Sequence, residues 1–181
     1  MSRWSVIARR IRVPTGFAFA LFYFWLAQPT WRSILAGGVI CLPGLWLRAA
    51  ASGHVRKNEE LTTTGPYHYT RNPLYLGSVI IATGFGVAAR SWWIALAMAV
   101  VFAALYIPVI LSEEQFLRRR FPEFEEYSHR VPRFIPRLRA PQTGANKFSQ
   151  RLYWQHREYN ALLGAGAMFG ALAAKLLWLS H

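Results

Sequence analysis

The sequence of 181 residues contains no aspartate, one cysteine (Cys41) and only 16% charged residues. Without aspartate it holds no Ser-His-Asp triad, and a lone cysteine excludes a disulfide scaffold, a zinc ribbon and a CxxC redox site. Soluble domains contain about 25% charged residues, so this chain is too poor in charge for an ordinary soluble domain. Its five histidines show no spacing typical of metal ligands, and we therefore predict no metal site.

The residues that are abundant are apolar and basic. Apolar residues make up 54% of the chain and aromatic residues 15%. The chain has 21 basic and 8 acidic residues, for a net charge of +13. A disordered chain would be poor in aromatic and branched aliphatic residues. Basic proteins often bind nucleic acid, but basic residues separated by long uncharged runs fit a membrane protein facing anionic lipid better. We therefore expect the bilayer, and no nucleic acid, as a partner.

Five nearly uncharged runs dominate the chain. A helix needs about 20 residues to cross the core of a bilayer. The second and fifth runs reach that length if Arg48 and Lys175 extend their charged ends to the membrane surface. The first run lacks a small-residue cleavage site after it, so we expect a retained span rather than a signal peptide. The runs are Val13–Trp31, Ser33–Leu47, Asn72–Ala89, Ser91–Ser112 and Tyr159–Ala174.

These runs predict an all-α, polytopic membrane helical bundle of about five transmembrane helices, in a single domain over residues 1–181. With a cytoplasmic N-terminus, only Arg32, Arg90 and Lys175 lie on the outer side, and all other basic residues face the cytoplasm. Such an asymmetry is what the positive-inside rule requires. We therefore expect an integral membrane protein whose N-terminus and active site are cytoplasmic.

The polar segment between the second and third runs contains the first candidate site. Three threonines followed by Gly65-Pro66 predict a turn, and Asn72-Pro73 predicts a helix start with Asn as the cap and Pro in the first turn. The amide groups of a helix N-terminus can bind a carboxylate or phosphate. The alternative interpretation is an interfacial loop with anchoring tyrosines and an ordinary cap.

The second candidate site is the acidic pair Glu113-Glu114, which directly follows the fourth run. Carboxylates at a membrane boundary are costly unless they are paired or hydrated, so they often mark a cation site. Adjacent helical positions differ by about 100°, so only one of the two can point into the bundle. The alternative is that both mark the water line and pair with Arg118 or Arg119.

Two further segments indicate packing rather than chemistry. Gly84 and Gly86 lie inside the third run and favour a helix-packing surface over a nucleotide-binding loop. After the acidic pair, apolar residues recur on one face of a helical segment that runs to about Arg130. That segment either lies on the membrane or caps the bundle; its apolar residues are Phe116, Leu117, Phe121, Phe124 and Tyr127.

A joint motif over residues 54–132 closely resembles the isoprenylcysteine carboxyl methyltransferase and phospholipid methyltransferase group of integral membrane enzymes. Each piece is weak alone, whereas the combination is specific. A basic linker at 132–158 and an extra C-terminal transmembrane helix at 159–179 follow the shared region. The motif consists of Leu61-x-x-x-Gly65-Pro66-Tyr67-x-x-x-Arg71-Asn72-Pro73-x-Tyr75-x-Gly77, then Glu113-Glu114, Phe121, Tyr127 and Arg130-Val131-Pro132.

The resemblance implies an S-adenosylmethionine-dependent methyltransferase with a cytoplasmic-side cofactor pocket and a lipid or lipophilic acceptor. By the same resemblance, Arg71 orients an anionic group of the acceptor, and Glu114 accepts a proton if the acceptor is an amine. The implied cofactor-binding residues are Glu59, Glu60, Leu61, Thr62, Gly65, Tyr67, Asn72, Pro73, Leu74, Tyr75 and Glu113.

The chain also departs from the pattern of this group. The group usually has His where this chain has Asn72, and His is often seen where Glu59 and Glu60 stand. Isoprenylcysteine enzymes carry an Arg, proposed to hold the substrate carboxylate, at the position of Val109. The acceptor therefore stays open between a carboxylate, an amine and a thiol, and a homo-oligomer is compatible with the sequence.

Two other functions remain as alternatives. Sterol-type membrane reductases that use NADPH have a similar Arg-x-Pro-x-Tyr segment, although they are usually much longer. A lipid-binding membrane protein without catalytic turnover would keep the same helical bundle.

Overall fold

A computed structural model describes residues 16, 18–56, 59–137 and 147–179, and these residues form helices with no strand among them. Two short irregular helices accompany the α-helices: a 3-10 turn at Gly65–His68 and a π-helical stretch at Phe102–Tyr106. The α-helices are α1 (18–26), α2 (Trp31–Ser52), α3 (Pro73–Ala89), α4 (Trp92–Val101), α5 (Ile107–Arg120), α6 (Phe124–Arg130), α7 (Gln150–Gln155) and α8 (Tyr159–Leu179).

Within the part of the chain that the structure describes, three helices are long and apolar enough to cross a membrane, which is the pattern of a membrane protein: Trp31–Ser52, Trp92–Arg120 and Tyr159–Trp178. The predicted count of five is not confirmed. Helix α3 is apolar but has 17 residues. Of the predicted first span, the described part is helical only to residue 26, and Trp31 begins α2 instead. The segment Met1–Arg12 and the start of that span lie outside the described residues.

Helix α2 begins at a capping box and continues through a proline. The Thr30 side chain accepts a hydrogen bond from the backbone N–H of Ser33, and the Ser33 hydroxyl accepts one from the backbone N–H of Thr30. Pro43 lies inside the helix, which runs on to Ser52. A helix can continue past such a proline in a membrane, where backbone groups have to be satisfied within the protein.

Helices α2 and α3 pack closely along glycines. A Cβ atom on Gly84 would lie 2.5 Å from both Cys41 Sγ and the carbonyl oxygen of Gly37 on α2. A Cβ on Gly77 would lie 2.6 Å from Arg48 Cγ, so this glycine makes room for the arginine side chain. The prediction of a packing surface is confirmed for Gly84, whereas a Cβ on Gly86 would make only ordinary contact.

The turn between α3 and α4 is tight. Arg90 adopts a left-handed conformation with φ of 52° and ends α3, and α4 starts two residues later. The backbone N–H of Arg90 donates to the carbonyl of Val87. Trp92 and Trp93 follow on the exposed surface, as expected for tryptophans at a membrane interface.

The long helix that leads to the acidic pair contains an irregular section. Helices α4 and α5 are joined without a break by the π-helical stretch Phe102–Tyr106, and Pro108 lies in the first turn of α5. A proline ring clashes with the carbonyl four residues earlier and removes one hydrogen bond, which is a common cause of such a bulge. The phase of Glu113 and Glu114 around the helix depends on this section.

Helix α6 folds back over the bundle instead of leaving its apolar face on the membrane. Phe121, Phe124, Tyr127 and Val131 are buried against one another, with Leu61 packed beside them. Of the two placements considered from the sequence, capping the bundle is therefore confirmed.

The C-terminal helix is joined to the rest by two charged side chains. Arg48 of α2 donates three hydrogen bonds to Glu158, including one of 2.8 Å from Nη2. Its Nη1 also donates to the Ser78 hydroxyl at 2.5 Å and to the carbonyl oxygen of Leu74. Lys175 of α8 donates to three backbone carbonyls, including that of Ala27. Both side chains are bound by protein groups, whereas the sequence had predicted that their charged ends reach the membrane surface.

We predict that Gly84→Ala lowers the free energy of unfolding by about 1–3 kcal/mol, because the added methyl group overpacks the α2–α3 contact. Gly86→Ala is the matched control: its Cβ would lie 3.9 Å from the Ala95 methyl carbon, so we expect stability equal to the wild type or higher. Thermal unfolding in detergent measures both. Equal melting temperatures for the two variants would contradict the close packing.

Candidate active site

A cavity of about 460 Å³ lies at the end of the bundle where α3 begins and α5 ends. Its volume is within the range of about 300–1,000 Å³ that is typical of small-molecule sites. The loop after α2 forms one wall, the start of α3 a second, and α5 with α6 the third. The lining residues are Val55, Arg56, Glu60, Leu61, Thr62, Tyr67, Arg71, Asn72, Pro73, Leu74, Tyr75, Glu113, Glu114, Phe116, Leu117, Phe124 and Tyr127.

Tyr67 is held in the cavity wall by its backbone. The hydroxyl of Tyr127 on α6 donates a 2.6 Å hydrogen bond to the carbonyl oxygen of Tyr67. Burial raises the pKa of the Tyr67 hydroxyl well above its ordinary value, and nearby Tyr127 and Glu113 raise this pKa further. Burial also raises the pKa of Tyr127. Both hydroxyls therefore stay protonated at neutral pH and can act as hydrogen-bond donors.

The side chain of Asn72 binds Glu114 rather than capping α3. Its Nδ2 donates to Glu114 Oε1 at 3.0 Å and to the carbonyl oxygen of Arg133 at 3.2 Å, and no cap hydrogen bond from this side chain is present. Asn72 occupies the cap position as predicted, with Pro73 in the first turn. The predicted role of its side chain as the cap is wrong, because the side-chain nitrogen donates both of its hydrogen bonds to distant residues, Glu114 and Arg133.

Glu114 is the centre of a charged cluster. Arg133 donates from both Nε and Nη2 to this carboxylate at 2.9–3.1 Å, and Arg71 Nη1 lies 3.7 Å from Oε2. The whole Glu114 residue is 7% exposed. The alternative pairing of the acidic residues with Arg118 is wrong, because Arg118 binds Glu125 instead.

Residues 131–137, which we call the strap, tie the chain after α6 to the loop before α3. The backbone N–H of Arg71 donates to Pro132, and the backbone N–H of Arg137 donates to Tyr69. The Thr70 hydroxyl lies 3.1 Å from the carbonyl oxygens of both Arg133 and Phe134. The ion pair of Glu114 and these contacts together fix the position of the loop that forms the cavity wall.

The two adjacent glutamates face different surroundings, as their angular separation on a helix requires. Glu114 is buried and ion-paired, whereas Glu113 is exposed and lines the cavity. The carboxylate of Glu114, for which a proton-accepting role is expected, is engaged here by Arg133 and Asn72.

Arg71 has one buried N–H donor without a partner. Its side chain is 12% exposed, its guanidinium carbon lies 6.0 Å from the centre of the Phe124 ring, and its Nη1 faces Glu114. Its Nε is buried without a hydrogen-bond partner. Buried N–H groups are nearly always paired in proteins, so an unpaired one in a cavity wall indicates a ligand group.

The structure brings most of the predicted site residues together. Eleven of the thirteen line this one cavity: Glu60, Leu61, Thr62, Tyr67, Arg71, Asn72, Pro73, Leu74, Tyr75, Glu113 and Glu114. Glu59 is exposed and Gly65 lies outside the lining. Gly65 has a φ of 59°, and a Cβ there would lie 2.6 Å from the His54 ring, so this glycine shapes the turn.

Other lining residues were not predicted as site residues. Arg56 and Val55 follow α2. Four others were assigned to an amphipathic face, and the last of them also belongs to the motif: Phe116, Leu117, Phe124 and Tyr127. Arg133, which binds the Glu114 carboxylate, was assigned only to the basic linker. Its position directly after the Arg130-Val131-Pro132 part of the motif was the only indication in the sequence.

The donor set of the cavity suits a ligand that carries both signs of charge. Arg56 and Arg71 are cationic, and Glu60, Glu113 and Glu114 are anionic. Aromatic rings line the same space and can stack on a flat ring or contact a cation. Among the described residues, no group of three or more His, Cys, Asp or Glu side chains is placed to hold a metal ion.

Residues 48–123 match the family model described as phospholipid methyltransferase. This match confirms the resemblance that the motif carries, although the predicted region of 54–132 extends further at its C-terminal end. The matched segment supplies α2 from Arg48, the loop, α3, α4 and α5. It therefore contains nearly all of the cavity wall, whereas α6 and the strap lie beyond it.

Two curated bacterial proteins are similar to part of the chain. The nickel-cobalt-cadmium resistance protein NccN of Alcaligenes xylosoxydans xylosoxydans is 45% identical, and the cobalt-zinc-cadmium resistance protein CzcN of Cupriavidus metallidurans is 43% identical, each over 94 residues. The similarity covers 52% of this chain and 43% of each relative, so the chain spans less than half the length of these relatives. No solved structure matches significantly.

We predict that Glu114→Gln lowers the free energy of unfolding by about 1–3 kcal/mol, because Arg133 and Arg71 lose their anionic partner. The strap should open more often, and hydrogen exchange of residues 131–137 should become faster. Glu113→Gln is the matched control, since Glu113 is exposed, and it should leave both measurements unchanged. Wild-type exchange of the strap in Glu114→Gln would contradict the role of this ion pair.

Proposed function

We propose that the protein is an S-adenosylmethionine-dependent methyltransferase that acts on a lipid or lipophilic acceptor. The observation that carries the proposal is one cavity in which the loop motif, the start of α3 and the acidic pair meet. Most of its wall lies within a segment that matches the phospholipid methyltransferase family. The mixed charge of the cavity wall supports this choice of cofactor.

When bound, this cofactor supplies a methyl group on a cationic sulfur, and the methyl group passes to a nucleophile of the acceptor while a neutral thioether leaves. Such an in-line displacement mainly requires that the two reactants are held about 3 Å apart in line, with water excluded. The protein therefore has to bind and orient, and the buried aromatic and apolar residues around the cavity serve to exclude water.

Each charged group of the wall has a proposed role. Glu113 offsets positive charge on the cofactor, because its carboxylate is exposed at the cavity and is not engaged by Arg133. Arg71 binds a carboxylate or phosphate oxygen through its unpaired Nε. Tyr67 and Tyr75 contact the flat ring of the cofactor. Glu114 is a positioning residue, which holds Asn72 and the strap in place.

The location of the cavity fits a reaction between a soluble donor and a lipid acceptor. The cavity lies at one end of the apolar helices that could cross a bilayer, where α2 and α5 end. We propose that this end faces the cytoplasm, in line with the distribution of basic residues. The donor then enters from water, and the acceptor enters sideways from the lipid.

Purified protein should bind S-adenosylhomocysteine saturably and show no saturable binding of NADPH in calorimetric titration. The physical reason is the mixed charge of the cavity wall, whose arginines and glutamates match the carboxylate and ammonium groups of S-adenosylhomocysteine, whereas NADPH carries only anionic groups. Membranes incubated with a radiolabelled methyl donor should carry label in the lipid extract. Binding of NADPH alone would favour a reductase, and binding of neither would favour a non-catalytic lipid-binding protein.

Glu113→Gln should weaken S-adenosylhomocysteine binding at least tenfold, which corresponds to about 1.4 kcal/mol. The substitution keeps the size of the side chain and removes its charge. Glu126→Gln is a control of the same chemistry, because Glu126 is exposed on α6, pairs with Arg130 and does not line the cavity. If both variants bind with wild-type affinity in the same titration, Glu113 does not belong to the site.

A further inference from the structure

A second cavity, of about 520 Å³, lies on the other side of the loop before α3. No residue lines both cavities: Tyr67 belongs to the first, and the neighbouring His68 belongs to the second. Residues 64–70 therefore form a partition between two separate spaces. The second cavity plays no part in the methyl transfer proposed above.

Two buried polar atoms in the wall of the second cavity have no partner. Thr64 Oγ1 and His68 Nε2 are both shielded from solvent and make no hydrogen bond, and Thr64 as a whole is 7% exposed. Both residues line the cavity. Buried polar side-chain atoms are nearly always paired, so two unpaired ones at the same cavity indicate that a ligand oxygen is bound between them.

A third polar group lies nearby on α2. His54 also lines the cavity, and its Nδ1 lies 2.7 Å from the carbonyl oxygen of Ala50. That contact fixes the orientation of the ring, because only a protonated Nδ1 can bond a carbonyl. Gly65 allows the ring to approach the turn closely. Two imidazoles and a hydroxyl therefore surround the polar part of the cavity.

The remainder of the wall is apolar and belongs to the membrane-crossing part of the protein. Trp46 and Leu47 of α2 and Leu76 of α3 line the cavity, and Trp46 is 70% exposed on the outer surface of a helix that suits a bilayer core. Tryptophan prefers the interface between lipid and water. A ligand of this cavity therefore has an apolar part as well as the polar group that meets Thr64 and His68.

Charge separates the two cavities. The first is lined by three glutamates, whereas no acidic residue lines the second. The chain has a net charge of +13, and basic proteins of this kind attract anionic lipid headgroups. Among the described residues the lining of the second cavity contains no Lys or Arg either, so the choice of an anionic group comes from the net charge of the protein together with the two free donors, Thr64 and His68.

We propose that the second cavity binds an anionic phospholipid of the surrounding bilayer, with a phosphate oxygen between Thr64 and His68 and an acyl chain along Trp46 and Leu47. This lipid is a bound accessory lipid and not the methyl acceptor, because the loop of residues 64–70 separates it from the first cavity.

Native mass spectrometry of detergent-purified protein with added phosphatidylglycerol tests the proposal. The wild type should retain phosphatidylglycerol, and the double variant Thr64→Val/His68→Phe should lower its occupancy about tenfold, since two hydrogen bonds to an ionised oxygen are lost. Thr64 makes no cap hydrogen bond, so the valine breaks no bond within the protein. Diacylglycerol lacks the phosphate, so the wild type should retain it weakly. We expect its occupancy on the wild type to be about equal to that of phosphatidylglycerol on the double variant.

The control Thr83→Val/His129→Phe makes the same two changes at exposed residues outside the second cavity and should retain the lipid as the wild type does. A wild-type melting temperature and unchanged S-adenosylhomocysteine titration show that the test variant is folded. Equal lipid retention by test and control variants would overturn the proposal, as would equal retention of diacylglycerol. Displacement of the lipid by glycerol 3-phosphate would assign the phosphate site to a soluble ligand. Failure of S-adenosylhomocysteine to bind the wild type would overturn the proposed function and leave the lipid result standing.

Discussion

The architecture of the site depends on one buried carboxylate. Glu114 comes from the end of a long apolar helix, and its partners Asn72, Arg71 and Arg133 come from the loop before α3 and from the strap. These three parts of the chain make contact because an ionised carboxylate at low exposure needs several donors. Without that requirement, the strap would be held by backbone hydrogen bonds, by the side chains of Thr70 and Asn72, and by the apolar contacts of Val131 and Phe134.

The close packing of α2 on α3 provides the rigid base for this arrangement. Glycines let the two helices approach until Arg48 passes over Gly77 and reaches Glu158 at the start of α8. The C-terminal helix, which lies outside the matched family segment, is thereby attached next to the site. A bilayer offers little hydrophobic driving force between helices, so small residues and paired charges have to supply the cohesion.

The loop before α3 separates two cavities whose walls differ in charge. One side faces glutamates and arginines together, and the other faces histidines, a threonine and apolar side chains. Residues 64–70 can separate the two because the 3-10 turn at Gly65–His68 directs Tyr67 to the first cavity, whereas the neighbouring residues of the loop line the second. A polar ligand and a lipid can therefore bind close together without sharing contacts.

The sequence by itself determined the helical class, the family resemblance and most of the residues that line the first cavity, because apolar runs, glycine and proline positions and local motifs are properties of neighbouring residues. It did not determine how many helices suit a bilayer, since α3 has 17 residues and α2 begins at Trp31. Only the tertiary structure decided which glutamate is buried, because the angular phase of Glu113 and Glu114 depends on the π-helical stretch and on Arg133. Such a partner lies 19 residues along the chain from Glu114, and only folding brings the two charges into contact.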